Sequence, residues 1–472
     1  MKESSIMPHK WKRMATAMDT NSITEGVIWK NMIMFFLPIL LGTFFQQMYN
    51  TADAIIVGKF VGTQGLAAVG GTSGTMINLI VGFFVGLSSG ATVILSQYFG
   101  GRKMEEIGQT VHTAIALAVA AGVVIMVLGY TLSPTLLTMM GTPAEVMPDA
   151  LSYIRIYFAG MIPSLIYNIG SGLLRAVGDS RRPLLFLIAA CMTNIVLDVL
   201  LVAGFEMGVA GAALATILSQ LVSAVLVILT LCRTHNAYRL ELRKIRFHLP
   251  ILKGIVKIGL PGGLQSVMYS VSNVIIQAGI NGLGTDVMAA YTAYGKLDGF
   301  FWMMINAFGV SVTTFVGQNF GAHKYDRVRK SVRTCLVMSA GATLLLSTVL
   351  LIFGKSLYHL FTDDAVVIDY GMQMLRQLAP VYITYIGIEI FSGALRGVGD
   401  ALVATIFTLS GVCVLRLIWL LAIVPMNNTL QMILFSYPIT WTITSTLFVI
   451  YYLKGGWFKR ALRRAGHELA AQ

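Results

Sequence analysis

The chain has 472 residues, of which 56% are hydrophobic and only 12% are charged. Soluble globular proteins usually carry about 25% charged residues, so this composition all but excludes a soluble protein. Lysine and arginine number 34 against 21 aspartates and glutamates, which gives a net charge of +13. In so hydrophobic a chain this excess is a guide to membrane topology, and we expect no nucleic-acid partner.

Apolar segments long enough to cross a bilayer, which takes about 20 residues, recur twelve times along the chain. The predicted spans cover residues 33–57, 71–98, 110–133, 148–174, 183–204, 209–232, 252–281, 288–318, 333–354, 366–395, 402–424 and 430–453. The four cysteines have no paired spacing, which argues against disulfides and metal sites. We therefore predict an all-α integral membrane protein with twelve transmembrane helices.

The distribution of lysine and arginine predicts the orientation of these spans. Alternate loops and the two terminal segments together carry 28 of the 34, whereas the loops between them carry only Lys59 and Lys355. Because positively charged loops stay in the cytoplasm, both termini are predicted to be cytoplasmic, in a protein of the plasma membrane. The basic N-terminal segment has no cleavage pattern and precedes a span too long for a signal peptide, so we interpret it as a mature lead-in.

The two halves of the chain repeat one another. The segment SGLLRAVGD at 171–179 matches SGALRGVGD at 392–400, and QYFG at 97–100 matches QNFG at 318–321, both at the same spacing. Each repeat holds six spans, an even number, so the two lobes should share one orientation and enclose a central cavity between them.

This repeat divides the chain into predicted regions. They are a cytoplasmic lead-in over 1–32, an N-lobe over 33–232, a cytoplasmic linker over 233–251, a C-lobe over 252–453 and a basic cytoplasmic tail over 454–472. Residues 233–257 carry seven positive charges, which favours a solvated loop that fixes the topology.

Acidic side chains at bilayer depth are costly, about 2.5–3.5 kcal/mol on insertion scales, and by default are candidates for function. The four that qualify are Asp53, Asp198, Asp298 and Glu389. Asn194 and Asp198 lie one turn apart on the same face of the fifth span, and Asp53 ends a polar stripe on the first span that includes Gln46 and Asn50. Such a stripe must face protein or water.

Two carboxylates together with an amide and a hydroxyl offer hard oxygen ligands for Na⁺, or they could share a proton. The alternative is that Asn194 and Asp198 only hydrogen-bond to neighbouring helices. For Asp298 the alternative is pairing with a basic group such as Lys296. Glu389, one turn from Tyr385, would suit recognition of a cation, or could be neutralised by Arg416.

The seventh span carries a neutral version of the polar stripe. Gln265, Tyr269 and Asn273 recur at intervals of four, and Asn273 stands where the first repeat has Asp53. This asymmetry predicts ion coupling in the N-lobe and substrate binding at the lobe interface. The predicted cavity residues are Gln46, Asn50, Gln265, Tyr269, Asn273, Tyr385 and Glu389.

Three groups of residues resemble the multidrug and toxic compound extrusion family: YNTAD ending at Asp53, the two LR-x-VGD segments, and VGQNFGA at 316–322. The resemblance implies a V-shaped pair of six-helix bundles that exports amphipathic, often cationic, compounds in exchange for H⁺ or Na⁺, with no other cofactor. It also implies a cation site, including a Na⁺ site if that ion is used, at Asp53, Asn194, Asp198 and Thr216. The seventh-span carboxylate of some relatives is missing.

Other functions are less well supported. A flippase for lipid-linked saccharides of the same superfamily would be expected to line its cavity with several basic residues, and only Arg416 is suitably placed. The sequence has neither a His-Asp cluster nor a His-Glu-x-x-His motif, so we do not expect an enzyme. Arg175 and Arg396 are assigned to cytoplasmic loops with an architectural role. Partners are expected to be small organic substrates and the lipid bilayer, and the protein is expected to be a monomer.

Overall fold

A computed structural model of the chain describes residues 23–464 and residue 466. Throughout these residues the regular elements are helices. Positions 1–22 of the predicted lead-in, and positions 465 and 467–472 of the predicted tail, lie outside the described residues.

Each predicted span of the first half has a helical counterpart. The helices are α1 (Ile28–Phe60), α2 (Thr63–Gly70), α3 (Thr72–Gly100), α4 (Met104–Met139), α5 (Met147–Ala159), α6 (Met161–Ala176), α7 (Arg181–Asp198) with a π-helical continuation (Val199–Gly204), and α8 (Gly208–Arg233). The fourth span bends by 51° between α5 and α6. Pro163 in the first turn of α6 cannot donate a backbone hydrogen bond, which favours a break at this point.

The second half follows the same order. Its helices are α9 (Leu249–Asn281), α10 (Thr285–Gly321), α11 (Tyr325–Tyr358), α12 (Ala365–Leu378), α13 (Tyr382–Gly397), α14 (Ala401–Thr408), α15 (Leu415–Ile418), α16 (Leu430–Leu434), α17 (Ser436–Lys454) and α18 (Trp457–Arg464). Between Thr408 and Met426 the eleventh span passes through two π-helical turns, Leu409–Val414 and Trp419–Ile423, and a short 3-10 turn, Val424–Met426.

Length and hydropathy identify the membrane spans. Within the described residues ten helical segments are long and apolar enough to cross a bilayer, and the bent pair α5–α6 makes an eleventh. Helix α9 has 33 residues, which is ample length, but its glycine and polar residues lower its hydropathy. It completes the twelve predicted spans, and the chain is a multi-pass membrane protein.

The buried apolar side chains form two large clusters, one for each lobe. The first runs from Val57 to Ile255, and the second includes residues from Ile276 to Leu462. The start of α1 belongs to the second cluster, where Phe36 stacks on Phe308 with ring centroids 4.1 Å apart. Helix α1 therefore connects the two lobes.

The lobes touch most closely along α3 and α9. A β-carbon added at Gly86 would lie 2.5 Å from the backbone of Gly262, and one at Gly90 would lie 2.2 Å from the carbonyl oxygen of Ile255. These glycines let the two helix backbones approach directly, as small residues do in membrane helix pairs.

The lobes also meet at the face of the molecule that carries both ends of the described chain, which we call the terminal face. There the side chain of Lys324 donates to the carbonyl of Thr24, and Phe320 contacts Phe458 of α18.

The contact between the lobes at this face has near-twofold symmetry. Gln97 donates to the carbonyl of Gly397 over 2.7 Å, and Gln318 donates to the carbonyl of Ala176 over 2.6 Å. The terminal face is therefore closed.

The charged side chains of the linker are exposed, as a solvated loop requires, but several of its apolar side chains are not. Tyr238 and Leu240 are buried in the N-lobe core. The Nε2 of His112 accepts a hydrogen bond from the backbone of Glu241, and Thr113 bonds to His248. The hydrogen bond from Lys244 lowers the pKa of the Glu241 carboxyl, but both of these side chains are exposed. The linker is docked on the N-lobe by its apolar residues and by hydrogen bonds to α4, while its charges face outward.

Candidate functional site

Three predicted polar residues of the N-lobe are buried, and polar atoms on each of them lack a hydrogen-bond partner among the described residues. Asp53 on α1 is 8% exposed, and Asn194 and Asp198 on α7 are fully buried. Within residues 23–464, one oxygen of Asp53, both oxygens of Asp198 and both polar atoms of the Asn194 amide have no hydrogen-bond partner. The two carboxyl groups lie close enough to interact electrostatically. Helices α1 and α7 thus bring the acids of the first and fifth spans together.

Asp198 lies where the helix changes its geometry. It is the last residue of α7, and the following residues, Val199–Gly204, form a π-helical segment. Such segments interrupt regular hydrogen bonding and occur frequently at functional sites. The C-lobe has a π-helical turn at the corresponding place, but Trp419 stands there at the repeat position of Asp198. The two lobes share the backbone feature and differ in its chemistry.

Thr216, on α8, is 2% exposed and donates its hydroxyl hydrogen to the carbonyl of Ala212 over 3.0 Å. Its oxygen can still accept a hydrogen bond or bind an ion. Tyr49 lies beside Thr216 and close to both carboxylates, and Tyr153 on α5 lies near the same two acids. The sequence reasoning missed both tyrosines. Tyr49 could have been found, because it is one turn from Asp53, but nothing in the sequence connects Tyr153 with α1.

A cavity of about 310 Å³ adjoins this group of residues. It is lined by α1, α3, α5, α6, α7 and α8 and, through Asn306 and Val310, by α10 of the C-lobe; because its other lining residues belong to the N-lobe, we call it the N-lobe cavity. Its polar lining residues are Thr43, Gln46, Tyr49, Tyr157, Ser164, Tyr167, Asn168, Ser171, Arg175, Ser180, Ser219, Gln220, Ser223 and Asn306. Of the predicted substrate residues, Gln46 lines this cavity. Asn50 does not, and its exposed amide bonds to Gln47.

The neutral stripe on α9 has a different setting. Gln265 is 9% exposed and its side-chain oxygen has no hydrogen-bond partner among the described residues, whereas Asn273 is exposed. The hydroxyl of Tyr269 bonds to that of Tyr385 over 3.2 Å. Tyr385 is itself buried among aromatic rings, including Trp302 and Trp441. None of these residues lines the N-lobe cavity.

The alternative that Glu389 pairs with Arg416 is wrong. Glu389 forms an ion pair at 3.3 Å with Arg396, two turns further along the same helix. Arg416 instead lies over the ring of Tyr437, 4.4 Å from its centroid, and donates to Thr440. Glu389 is therefore neutralised within α13, and Arg416 is held by α17.

Asp298 is bound by neutral donors rather than by a basic group. It accepts hydrogen bonds from Tyr382 and Trp302, each at 2.7 Å, and from Tyr294 at 3.2 Å. Lys296 does not pair with it. Three donors satisfy this carboxylate as part of the aromatic core, so a structural role explains it.

Arg175 and Arg396 do not lie on loops, contrary to the sequence-based assignment. They occupy the last turns of α6 and α13. Asp179 pairs with Arg182, whereas Asp400 accepts from Tyr451. The two arginines therefore point into the lobes and do not bridge their own GD turns.

Comparison with known proteins agrees with this arrangement of two lobes and twelve spans. The sequence model of the family described as MatE matches residues 38–200 and again residues 261–421. The chain belongs to the MatE family. Its relatives include the "Probable multidrug resistance protein YpnP" of Bacillus subtilis, 29% identical over 84% of this chain and 89% of that protein. They also include the "Multidrug export protein MepA" of Staphylococcus aureus, 22% identical over 84% of this chain and 88% of that protein.

Solved structures of the MatE fold are similar to this one. One was described as the outward-facing conformation of a multidrug resistance MATE family transporter of the MOP superfamily. It has a TM-score of 0.84, is 22% identical, and the match covers 93% of this chain and 99% of that one. The double match of the family model and this likeness confirm the all-α architecture with two lobes of six spans.

Proposed function

We propose that this MatE-family protein is a secondary active efflux transporter. It exports amphipathic and cationic organic compounds by antiport with H⁺ or Na⁺, and Asp53, Asn194, Asp198 and Thr216 bind the coupling ion. The single observation that carries the proposal is the group of buried polar atoms on Asp53, Asn194 and Asp198 that find no hydrogen-bond partner in the described part of the chain.

The energetic argument starts from the cost of those atoms. A buried polar group without a partner costs about 1–3 kcal/mol, and more when it is charged. Five such atoms on three neighbouring side chains are too costly for a purely structural cluster. Asp298 illustrates the contrast, since its carboxylate accepts three hydrogen bonds. A bound proton or Na⁺ would relieve the cost in the N-lobe.

Either ion fits the donor set. Two carboxylates, an amide oxygen and a hydroxyl are hard ligands suited to Na⁺. Two adjacent carboxylates also share a proton readily, because both cannot ionise cheaply. One pH unit is worth about 1.4 kcal/mol and 100 mV about 2.3 kcal/mol per charge, so one entering cation can sustain a substrate gradient of roughly 100-fold or more.

Alternating access follows from the two-lobe architecture. The positive charges favour a cytoplasmic terminal face, in a plasma-membrane protein that acts as a monomer. On that orientation the pairing of Gln97 and Gln318 with the opposite lobes closes the cytoplasmic side, as an outward-facing state requires.

The flippase alternative is less well supported. A site for a lipid-linked diphosphate would need several cations, and Arg175 is the one arginine or lysine among the described residues that line the cavity. Arg416, which the sequence favoured for this role, packs against Tyr437 instead.

The test is transport in proteoliposomes with one gradient imposed at a time, either ΔpH or ΔpNa, and with ethidium as the organic cation. Wild-type protein should transport ethidium in response to one of these gradients. Asp198→Asn should insert and fold but lose the response, because neutralising a buried acid removes the ion site while lowering the desolvation cost. Asp286→Asn, at an exposed position in the first turn of α10, is the control and should behave as wild type.

Gradient-driven transport by Asp198→Asn at the wild-type rate would overturn the proposal. So would a wild-type protein that moves ethidium equally with and without a gradient.

A further inference from the structure

The cavity of the N-lobe is lined by an arginine, Arg175, that interacts electrostatically with the hydroxyl of Tyr167 and with no carboxylate among the described residues. Arg175 projects from the last turn of α6 onto the cavity wall. Its Nε is buried and has no hydrogen-bond partner, and within the described residues no carboxylate forms an ion pair with it. An unpaired buried charge is costly unless a ligand compensates it.

The second repeat shows what compensates the equivalent arginine. Arg396, the repeat counterpart of Arg175, forms an ion pair with Glu389 and donates to Ser392, each over 3.3 Å. In the N-lobe the serine is kept as Ser171, but an asparagine, Asn168, replaces the glutamate.

Asn168 does not compensate the charge of Arg175. Its amide nitrogen donates to the carbonyl of Ser164 over 2.9 Å, within its own helix. Asn168 and Ser171 also line the cavity. The position that holds a carboxylate in the C-lobe is thus neutral and open to the cavity in the N-lobe.

We propose that Arg175 binds the carboxylate of an organic substrate, so that the cavity accepts amphipathic compounds that carry an acidic group as well as cations. The inference rests on the proposed function, export of organic compounds, and it places their binding in this cavity. A planar guanidinium binds a carboxylate through two parallel hydrogen bonds. The ligand would thereby take the place that Glu389 has beside Arg396.

The rest of the cavity suits the remainder of such a molecule. Its volume of about 310 Å³ is that of a small-molecule site. Leu184, Leu187 and Val85 provide apolar wall, and Gln46 and Gln220 provide neutral hydrogen-bonding groups. A compound with its carboxylate on Arg175 would extend its apolar body between these side chains.

The experiment is equilibrium binding of two matched dyes to the purified full-length protein in detergent, measured by fluorescence polarisation at neutral pH. Rhodamine B has a free carboxylate, and its ethyl ester has the same ring system without that charge. Wild-type protein should bind the acid more tightly than the ester. Arg175→Gln should weaken binding of the acid by roughly tenfold or more, the order expected for a charge-assisted hydrogen bond, and leave binding of the ester unchanged.

A second variant keeps Arg175 but gives it an ion-pair partner within the protein. Asn168→Glu recreates in the N-lobe the pair that Glu389 forms with Arg396, so it should also weaken binding of the acid selectively. Asn168→Gln is the neutral control of matching size and should retain the preference for the acid. This series gives a result even if Arg175→Gln fails to fold.

The proposal is overturned if wild-type protein binds the ester as tightly as the acid, or binds neither dye. It is also overturned if Asn168→Glu and Asn168→Gln affect both dyes equally. Because no ion gradient is present, failure of the antiport mechanism would leave this binding result unchanged, and the two proposals fail separately.

Discussion

Replacing Gly100 by alanine should shift the protein away from the conformation described here. A β-carbon at Gly100 would lie 1.9 Å from the carbonyl oxygen of Gln318 and 2.8 Å from its Cα, both backbone atoms of the opposite lobe. Ordinary van der Waals contact begins at about 3.4 Å, so the helix ends would have to separate by roughly 1.5 Å. Overpacking of this kind costs about 1–3 kcal/mol.

That cost applies only while the terminal face is closed. A differential free energy of about 1–3 kcal/mol changes the ratio of two conformations by roughly 5- to 150-fold. Gly100→Ala should therefore increase the population in which the terminal face is open. The cost comes from the clash with the opposite lobe and not from a weakened α3, because alanine favours a helix more than glycine does.

Double electron–electron resonance measures this population directly. Nitroxides would be attached at positions 105 and 330, which are exposed in the first turn of α4 and the second turn of α11, after replacement of the four native cysteines. Gly100→Ala should add a longer distance to the distribution. Gly295→Ala is the control, because a β-carbon there meets nothing within 4 Å. An unchanged distribution for Gly100→Ala, or the same change in Gly295→Ala, would refute the reasoning.

Three further predictions concern the buried charges and the linker. The double variant Asp53→Asn with Asp198→Asn should be no more impaired in gradient-driven ethidium transport than either single variant, since both residues serve one site; additive losses would assign them to separate sites. Glu389→Gln should lower the free energy of unfolding by about 3 kcal/mol, because it leaves Arg396 unpaired, and a denaturation midpoint equal to that of wild type would show that the pair is not structural. Tyr238→Ala should lower the melting temperature by removing the ring that contacts Phe99, and an unchanged melting temperature would mean that the linker is not docked.

Hydrophobicity and repetition made most of the architecture predictable. Each of the twelve predicted spans has a helical counterpart, because a helix that crosses a bilayer must satisfy its own backbone and therefore follows a simple rule of length. The bend between α5 and α6 was not predicted. The apolar segment 148–174 is continuous, and a proline within such a segment is compatible with one kinked helix as well as with two separate helices.

The chemistry of individual charges was less predictable. Asn194 and Asp198 are one turn apart, and local spacing alone put them on one face. The partner of Glu389 depends on the rotamers of long side chains, and Arg396, two turns away, is the partner where the sequence suggested Arg416. Asp298 accepts hydrogen bonds from Tyr294 and Trp302, each one turn away on its own helix, and from Tyr382 of α13, a contact that no local pattern indicates.

Arg175 shows why comparison of the repeats was needed. In the sequence it resembles Arg396, because both belong to LR-x-VGD segments, and a shared role is the natural hypothesis. In the structure the two arginines differ because of the residue two turns earlier, which is Asn168 for Arg175 and Glu389 for Arg396. A single change from carboxylate to amide leaves one arginine paired and the other free to meet a ligand.

The most direct test of the central claim is whether a substrate displaces an ion from the site of Asp53 and Asp198. Purified wild-type protein in weakly buffered detergent solution would be mixed with ethidium, while proton release is followed with a pH-sensitive dye and loss of bound ²²Na⁺ is followed in parallel. The account predicts that ethidium releases one of these ions from wild-type protein and neither from Asp198→Asn. Ethidium binding to wild-type protein without any ion release, or equal release from Asp198→Asn, would contradict it.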